Sequence, residues 1–288
     1  MTLAYLIGGV MALSNFSSKA SDMTWEMVVS FGLGLVFGSF VNVLTYRLPR
    51  ILIAEFRSET NHQRFDLFWP ASHCPHCQTQ LVWWHNIPVL SYLWLKGRCS
   101  TCHHSIGMQY PLSELATAFL WLSCSWHWGF NPIGFCWAGC ATLLLALSII
   151  DWQTSLLPDD LTQILVWSGL IASALGWLAL PLSQSVWGAV IGYTSLRCIA
   201  TIFELITGKQ GMGAGDFKLL AGLGAWFGPL ALLPLVMMAS ISGAAIGLFL
   251  KWTHRLSDDG YVPFGPFLSL AAICVAFIGI DPMAIWIN

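Results

Sequence analysis

From residue 27 onward the chain is built of apolar runs of roughly twenty residues, separated by short polar segments. That pattern leaves few folds open. A run of about 20 apolar residues spans the ~30 Å hydrocarbon core of a bilayer, whereas a soluble core helix needs only an apolar stripe. The runs lie near 27–46, 111–127, 131–150, 161–180, 185–207, 217–228, 230–250 and 263–286. The stretch Leu219 to Leu250 is too long for one helix, and Gly228-Pro229 is the natural break in it. Only 9% of residues are charged, where a soluble domain has about 25%. This excludes a soluble globular enzyme, and 56% hydrophobic residues exclude a disordered chain. A net charge of −2 carries no nucleic-acid footprint. The expected fold is therefore an all-α polytopic integral membrane protein of about eight transmembrane helices.

The earlier apolar stretch, Leu3 to Leu13, is too short to cross and lacks the basic n-region of a signal peptide. Residues 1–26 are read as an N-terminal extension and 27–46 as the first transmembrane helix. Residues 47–110 hold half of the basic residues, six of the eight histidines and four of the nine cysteines. They form the one stretch long and polar enough for an extramembrane domain, leaving 111–288 for seven further helices. Ten of the twelve Lys and Arg fall in or beside 47–110, 151–160, 208–216 and 251–262, segments that eight crossings put on one side. By the positive-inside rule that side is the cytoplasm.

Cys74-Pro-His-Cys77 and Cys99-Ser-Thr-Cys102 give the spacing C-x2-C-x21-C-x2-C. Two such knuckles complete a tetrahedral zinc site, and a reducing cytoplasm disfavours the alternative of two disulfides. Four thiolates close the coordination sphere, so the metal is structural and His73, His76, His103 and His104 are bystanders. The remaining cysteines lie in apolar runs and read as small buried residues.

Ionisable residues in or at the ends of transmembrane helices are costly and usually functional. Glu114, Asp151 with Asp159 and Asp160, Glu204 and Asp216 qualify. Asp151 ends the run LLLALSIID, and Asp216 follows Gly211-Met-Gly-Ala-Gly215. Both are expected at the cytoplasmic end of a helix. Two carboxylates at one depth are the ingredients of an aspartic dyad, in which one is protonated while the other activates water. The bland alternative is a charge that marks a helix end. One of Asp159 and Asp160 is read as a helix cap, Arg197 and Glu204 as a pair on one helix face, and Asp258 and Asp259 as solvated.

These residues carry a resemblance. The chain resembles the type IV prepilin peptidases, through Gly38-Ser-Phe-Val-Asn-Val-Leu-Thr-Tyr-Arg-Leu-Pro49, the CPHC and GRCSTC segments, and Tyr110-Pro-Leu-Ser-Glu114. It continues through IIDWQTSLLPDDLT, GMGAGDFKLLAGLGAWFG and PFGPFL, in the family's order over residues 38–268. Gln109 departs from the Arg that many members have before Tyr-Pro. The resemblance implies eight helices in the bacterial inner membrane, with Asp151 and Asp216 as a catalytic pair facing the cytoplasm. It implies cleavage of a short basic leader from prepilins or secretion pseudopilins after Gly. Methylation of the new N-terminus, usually Phe, from S-adenosylmethionine then follows.

No Rossmann-type glycine fingerprint marks a donor site. Gly97, Arg98 and Glu114 are the candidates for it, and Asn42 and Arg47 are further candidate contacts. Two readings from other classes stand beside this one. A transporter would place its acids near the midplane, whereas these sit at helix ends. A non-enzymatic assembly subunit with a zinc ribbon would have no need of two particular aspartates.

Overall fold

The computed structural model describes residues 2–57, 65–209, 211–253 and 262–278, with side chains within 24–277 of those ranges. Asp258 and Asp259 lie outside the described residues, as does the end of the 263–286 run. Every regular element described is a helix: α1 (Thr2–Phe56), α2 (Leu90–Trp94), α3 (Gln109–Trp128), α4 (Pro132–Thr154), α5 (Asp159–Ala174), α6 (Leu182–Thr207), α7 (Ala214–Phe227), α8 (Pro229–Trp252) and α9 (Gly265–Ile278). A single 3-10 turn, Trp83–Asn86, precedes α2. Among the described residues, four segments are long and apolar enough to cross a membrane: Thr24–Phe56, α4, α6 and α8.

α1 overruns the expected 27–46 segment at both ends and passes through Pro49. The division of the Leu219–Leu250 run falls where the sequence places it. α7 stops at Phe227, Gly228 turns with φ 78°, and α8 starts at Pro229. Asn131 caps α4, its Oδ1 accepting the amides of Ile133 at 2.9 Å and Gly134 at 3.0 Å.

The chain divides into two units. The first holds residues 1–40 and 73–138, and the second 41–72 and 139–288. In the first, α1 meets α3 through glycines. A Cβ at Gly34 would lie 2.5 Å from the Ala118 Cα, and one at Gly38 would lie 2.6 Å from the Glu114 Cα. This G-x-x-x-G spacing lets two backbones approach in a setting where packing, not water exclusion, joins helices.

In the second unit α7 is central, packed against α5 and α6, with ten of its fourteen residues buried. The α6 contact is glycine on glycine: a Cβ on Gly188 would meet the Gly224 carbonyl oxygen at 2.1 Å, and one on Gly192 the Leu220 oxygen at 2.5 Å. Ser185 Oγ donates to the Ala225 carbonyl at 2.5 Å and Trp226 Nε1 to that of Leu165 at 2.9 Å. The buried stripe of α6 is Ser185, Gly188, Gly192 and Leu196, while Trp187, Val190, Ile199, Ile202 and Phe203 face outward. Small residues inside and large apolar ones outside invert the pattern of a soluble helix and suit a lipid surround.

Candidate active site and metal centre

Asp151 and Asp216 sit in the second unit, each 3% exposed. Asp151 lies in the last turn of α4, which Ser155 ends with φ 52°, its amide donating to the Asp151 carbonyl at 2.8 Å. Asp216 lies in the first turn of α7, three residues after the cap Gly213. Both carboxylates are thus buried at helix ends, one at the end of α4 and one at the start of α7.

A third element completes the arrangement. The Gly265 amide, first in α9, donates to Asp151 Oδ2 at 2.9 Å. A Cβ on Gly265 would lie 2.6 Å from that oxygen, so the backbone approaches the carboxylate as closely as it does only because residue 265 is glycine. Leu157 fills the space between the starts of α7 and α9. A Cβ on Gly215 would strike its Cβ at 2.5 Å, and one on Gly265 would reach its Cδ1 at 3.4 Å. Such a pair, buried and held on three helix ends, can share a proton and polarise a water.

The neighbouring acids do other work. Asp159 and Asp160 are in the first turn of α5 behind Pro158, and neither side chain caps the helix. Asp159 instead pairs with Lys218 Nζ at 2.5 Å, tying α5 to α7 on an exposed edge. The expected cap is thus corrected: proline takes the cap position, and Asp159 reaches a partner 59 residues away. No Arg197–Glu204 ion pair is present among the described residues; the Arg197 guanidinium lies 6.0 Å from the Phe217 ring centroid. Arg47, buried, donates to the carbonyl oxygens of Asp66, Leu67 and Pro70 at 3.0, 3.4 and 2.6 Å, so it clamps the 65–70 loop. Asn42 is buried on α1, and its carbonyl accepts from Thr45 Oγ1.

In the first unit the four cysteines converge. Cys74, Cys77, Cys99 and Cys102 place their sulfurs within 4.8 Å of one another. Cys74 to Cys102 is 3.8 Å and Cys77 to Cys99 is 3.9 Å. Tetrahedral Zn–S bonds of ~2.3 Å require S···S edges of about 3.8 Å, so the donor set fits that ion. The knuckles repeat one geometry. Each is closed by an antiparallel bridge, His73 with Gln80 and Arg98 with Ser105. Each has a left-handed residue after its second cysteine, Gln78 at φ 57° and His103 at φ 55°. Hydrogen bonding with Thr79 holds the Cys77 thiol down to about 6, whereas Cys102, although the His104 backbone favours its thiolate, is pushed up to about 11 by desolvation and its cysteine neighbours. The histidines stay outside the cluster, and His76 stacks on His104 at 4.5 Å.

The three donor-site candidates lie in this unit. Gly97 turns with φ 66°, and a Cβ there would meet Tyr92 Oη at 2.8 Å. Arg98 forms its knuckle's bridge. Glu114, 8% exposed, accepts the Val89 amide at 2.8 Å.

Apolar helices with small inner faces, enclosing a buried carboxylate pair, define a helical bundle suited to a bilayer and equipped for acid–base work. Residues 33–128 match the Bacterial Peptidase A24 N-terminal domain, and residues 138–248 match the Type IV leader peptidase family. A prepilin leader peptidase/N-methyltransferase of Pseudomonas putida is 43% identical over 262 residues, covering 88% of this chain and 90% of that protein. One from Burkholderia pseudomallei is 42% identical over 279 residues, covering 93% and 89%. No solved structure matches the chain. The chain belongs to the type IV leader peptidase family.

Proposed function

We propose that the protein cleaves the leader peptide of type IV prepilins or secretion pseudopilins and then methylates the new N-terminus. The observation that carries this reading is the buried Asp151–Asp216 pair with the Gly265 amide on one of its oxygens. Relatives named for both activities support it over nearly the whole chain.

A water between the carboxylates attacks the scissile carbonyl. One carboxylate takes its proton while the protonated partner donates to the developing oxyanion. Asp151 Oδ2 accepts the Gly265 amide, a bond that favours the ionised carboxylate, so Asp151 is the one that takes the water's proton and Asp216 carries the shared proton. The protonated carboxyl next passes its proton to the leaving amine, and no covalent intermediate forms. The protein lies in the bacterial inner membrane with eight spans. Residues 47–110 form a cytoplasmic zinc-binding domain and 111–288 the peptidase, so the basic leader meets the pair at the cytoplasmic face. Cys74, Cys77, Cys99 and Cys102 hold the zinc, which shapes the loop.

S-adenosylmethionine supplies an electrophilic methyl group as co-substrate, with Gly97, Arg98 and Glu114 as its candidate contacts. The chain's task there is to present a neutral amine, which a terminus of pKa near about 8 provides in part at neutral pH. Incubating purified protein with a prepilin, with and without S-adenosylmethionine, tests the reading. A shortened product that gains a methyl group only with the donor is expected. An intact prepilin from a folded preparation would overturn it.

A further inference from the structure

The segment between the two cysteine knuckles exposes large apolar side chains where a loop in water would carry polar ones. Trp83 is 75% exposed, Leu90 63%, Leu93 64% and Trp94 80%. Leu90, Leu93 and Trp94 are spaced i, i+3 and i+4, so α2 turns one apolar face outward.

This face is built, not incidental. Val89, a β-branched residue, is held at φ 58°, a conformation such residues avoid. Strain of that kind persists only where the surroundings over-determine it. Here the Glu114 carboxylate of α3 accepts the Val89 amide at 2.8 Å and fixes the entry to α2. Tyr92, on the opposite side of α2, is half-buried, and its hydroxyl donates to Met108 Sδ at 2.9 Å.

The charge around the face is one-sided. Residues 67–113 contain Lys96, Arg98 and five histidines and not one Asp or Glu. Tryptophan with leucine beside cationic side chains is the composition that settles at the headgroup level of anionic bilayers. Within this same unit α3 starts at Gln109, fifteen residues after Trp94, so the platform is tethered beside an apolar helix.

We infer that the Trp83–Trp94 segment is a membrane-surface anchor: its tryptophan and leucine side chains insert at the headgroup level of an anionic bilayer, with Lys96 toward the lipid phosphates. The four-cysteine loop then lies on the membrane rather than standing off it. This needs the chain to sit in a bilayer and nothing of the peptidase chemistry.

The test uses the full chain in nanodiscs made with a lipid whose diazirine lies next to the glycerol backbone. After photolysis, mass spectrometry maps the adducts. Adducts on peptides from 82–98 are expected, several-fold more abundant in phosphatidylglycerol than in phosphatidylcholine nanodiscs. The double variant Leu93→Asp, Trp94→Asp should lose them while keeping its metal content, which reports an intact ribbon. Adducts confined to the long apolar helices in the unmodified protein would overturn the inference. So would equal yields in the two lipids, or cross-links from this segment to a second copy or to an added prepilin in place of lipid.

Discussion

The Gly265 amide donates to Asp151 Oδ2 at 2.9 Å, across 114 residues of sequence, and glycine is the one residue that fits there. A Cβ at that position would stand 2.6 Å from the same oxygen, and the carboxylate would have to swing away. Misplacement of a reacting group by about 1 Å can cost about a hundredfold in rate. Gly265→Ala should therefore lower kcat for prepilin cleavage by about that factor, with little change in thermal stability. Cleavage assays beside a melting curve check this. Full activity in the variant would remove the amide from the site.

The pair itself is tested by isosteric change. Asp151→Asn and Asp216→Asn should each abolish cleavage while the protein still inserts and folds, because neither amide can take or share the proton. Asp159→Asn is the control. Its bond to Lys218 is an exposed ion pair worth about 0–1 kcal/mol, so activity should stay close to that of the unmodified protein. If Asp159→Asn proved more damaging than Asp151→Asn, the pair would be Asp159 with Asp216.

How much of this could be read beforehand depends on where the information lies. The cysteine spacing carries the cluster because both knuckles are local, each closed within a few residues. The α7–α8 break was legible because Gly228 and Pro229 have backbone restrictions of their own. Gly265 had no chemical signature, since a backbone amide donor looks like any other until the fold brings it to Asp151. The same holds for Asp159, whose partner Lys218 lies on another helix, and for Arg47, whose three acceptors are backbone carbonyls. Glu114 stood out as an acid among apolar residues, but its hold on Val89 is a tertiary contact.

Helix packing gives a stability prediction. Gly224→Ala puts a methyl where the α6 backbone already is, 2.1 Å from the Gly188 carbonyl oxygen, and the helices must separate. Overpacking of this kind costs about 3 kcal/mol. Gly139→Ala, on α4 with nothing within 4 Å of the added Cβ, should leave the melting temperature near its starting value. Thermal unfolding in one detergent compares them directly, and equal Tm values would mean that α6 and α7 do not meet at these glycines.

Metal content should be one zinc per chain by elemental analysis. Cys74→Ser with Cys77→Ser should remove it and open the ribbon to proteolysis, because a structural zinc contributes on the order of 10 kcal/mol to a small domain. Lys218→Gln, far from the sulfurs in sequence, should keep its zinc. An active, protease-resistant enzyme carrying four free thiols would defeat the assignment.

The two activities should separate. On the proposed reading, cleavage relies on the carboxylate pair, buried in the second unit, whereas methyl transfer requires a bound donor and a neutral amine but no shared proton. Gly97 holds its turn at φ 66°, where an alanine is strained by about 1 kcal/mol and its methyl would press on Tyr92. Gly97→Ala should therefore disturb the loop around α2 and reduce methylation more than cleavage, as should Arg98→Ala. In the opposite direction, Asp151→Asn and Asp216→Asn should still methylate a pilin supplied already cleaved. Measuring both products on one set of variants decides the matter. Parallel loss of the two activities in every loop variant would mean that the loop positions the leader as well, and that one substrate site serves both steps.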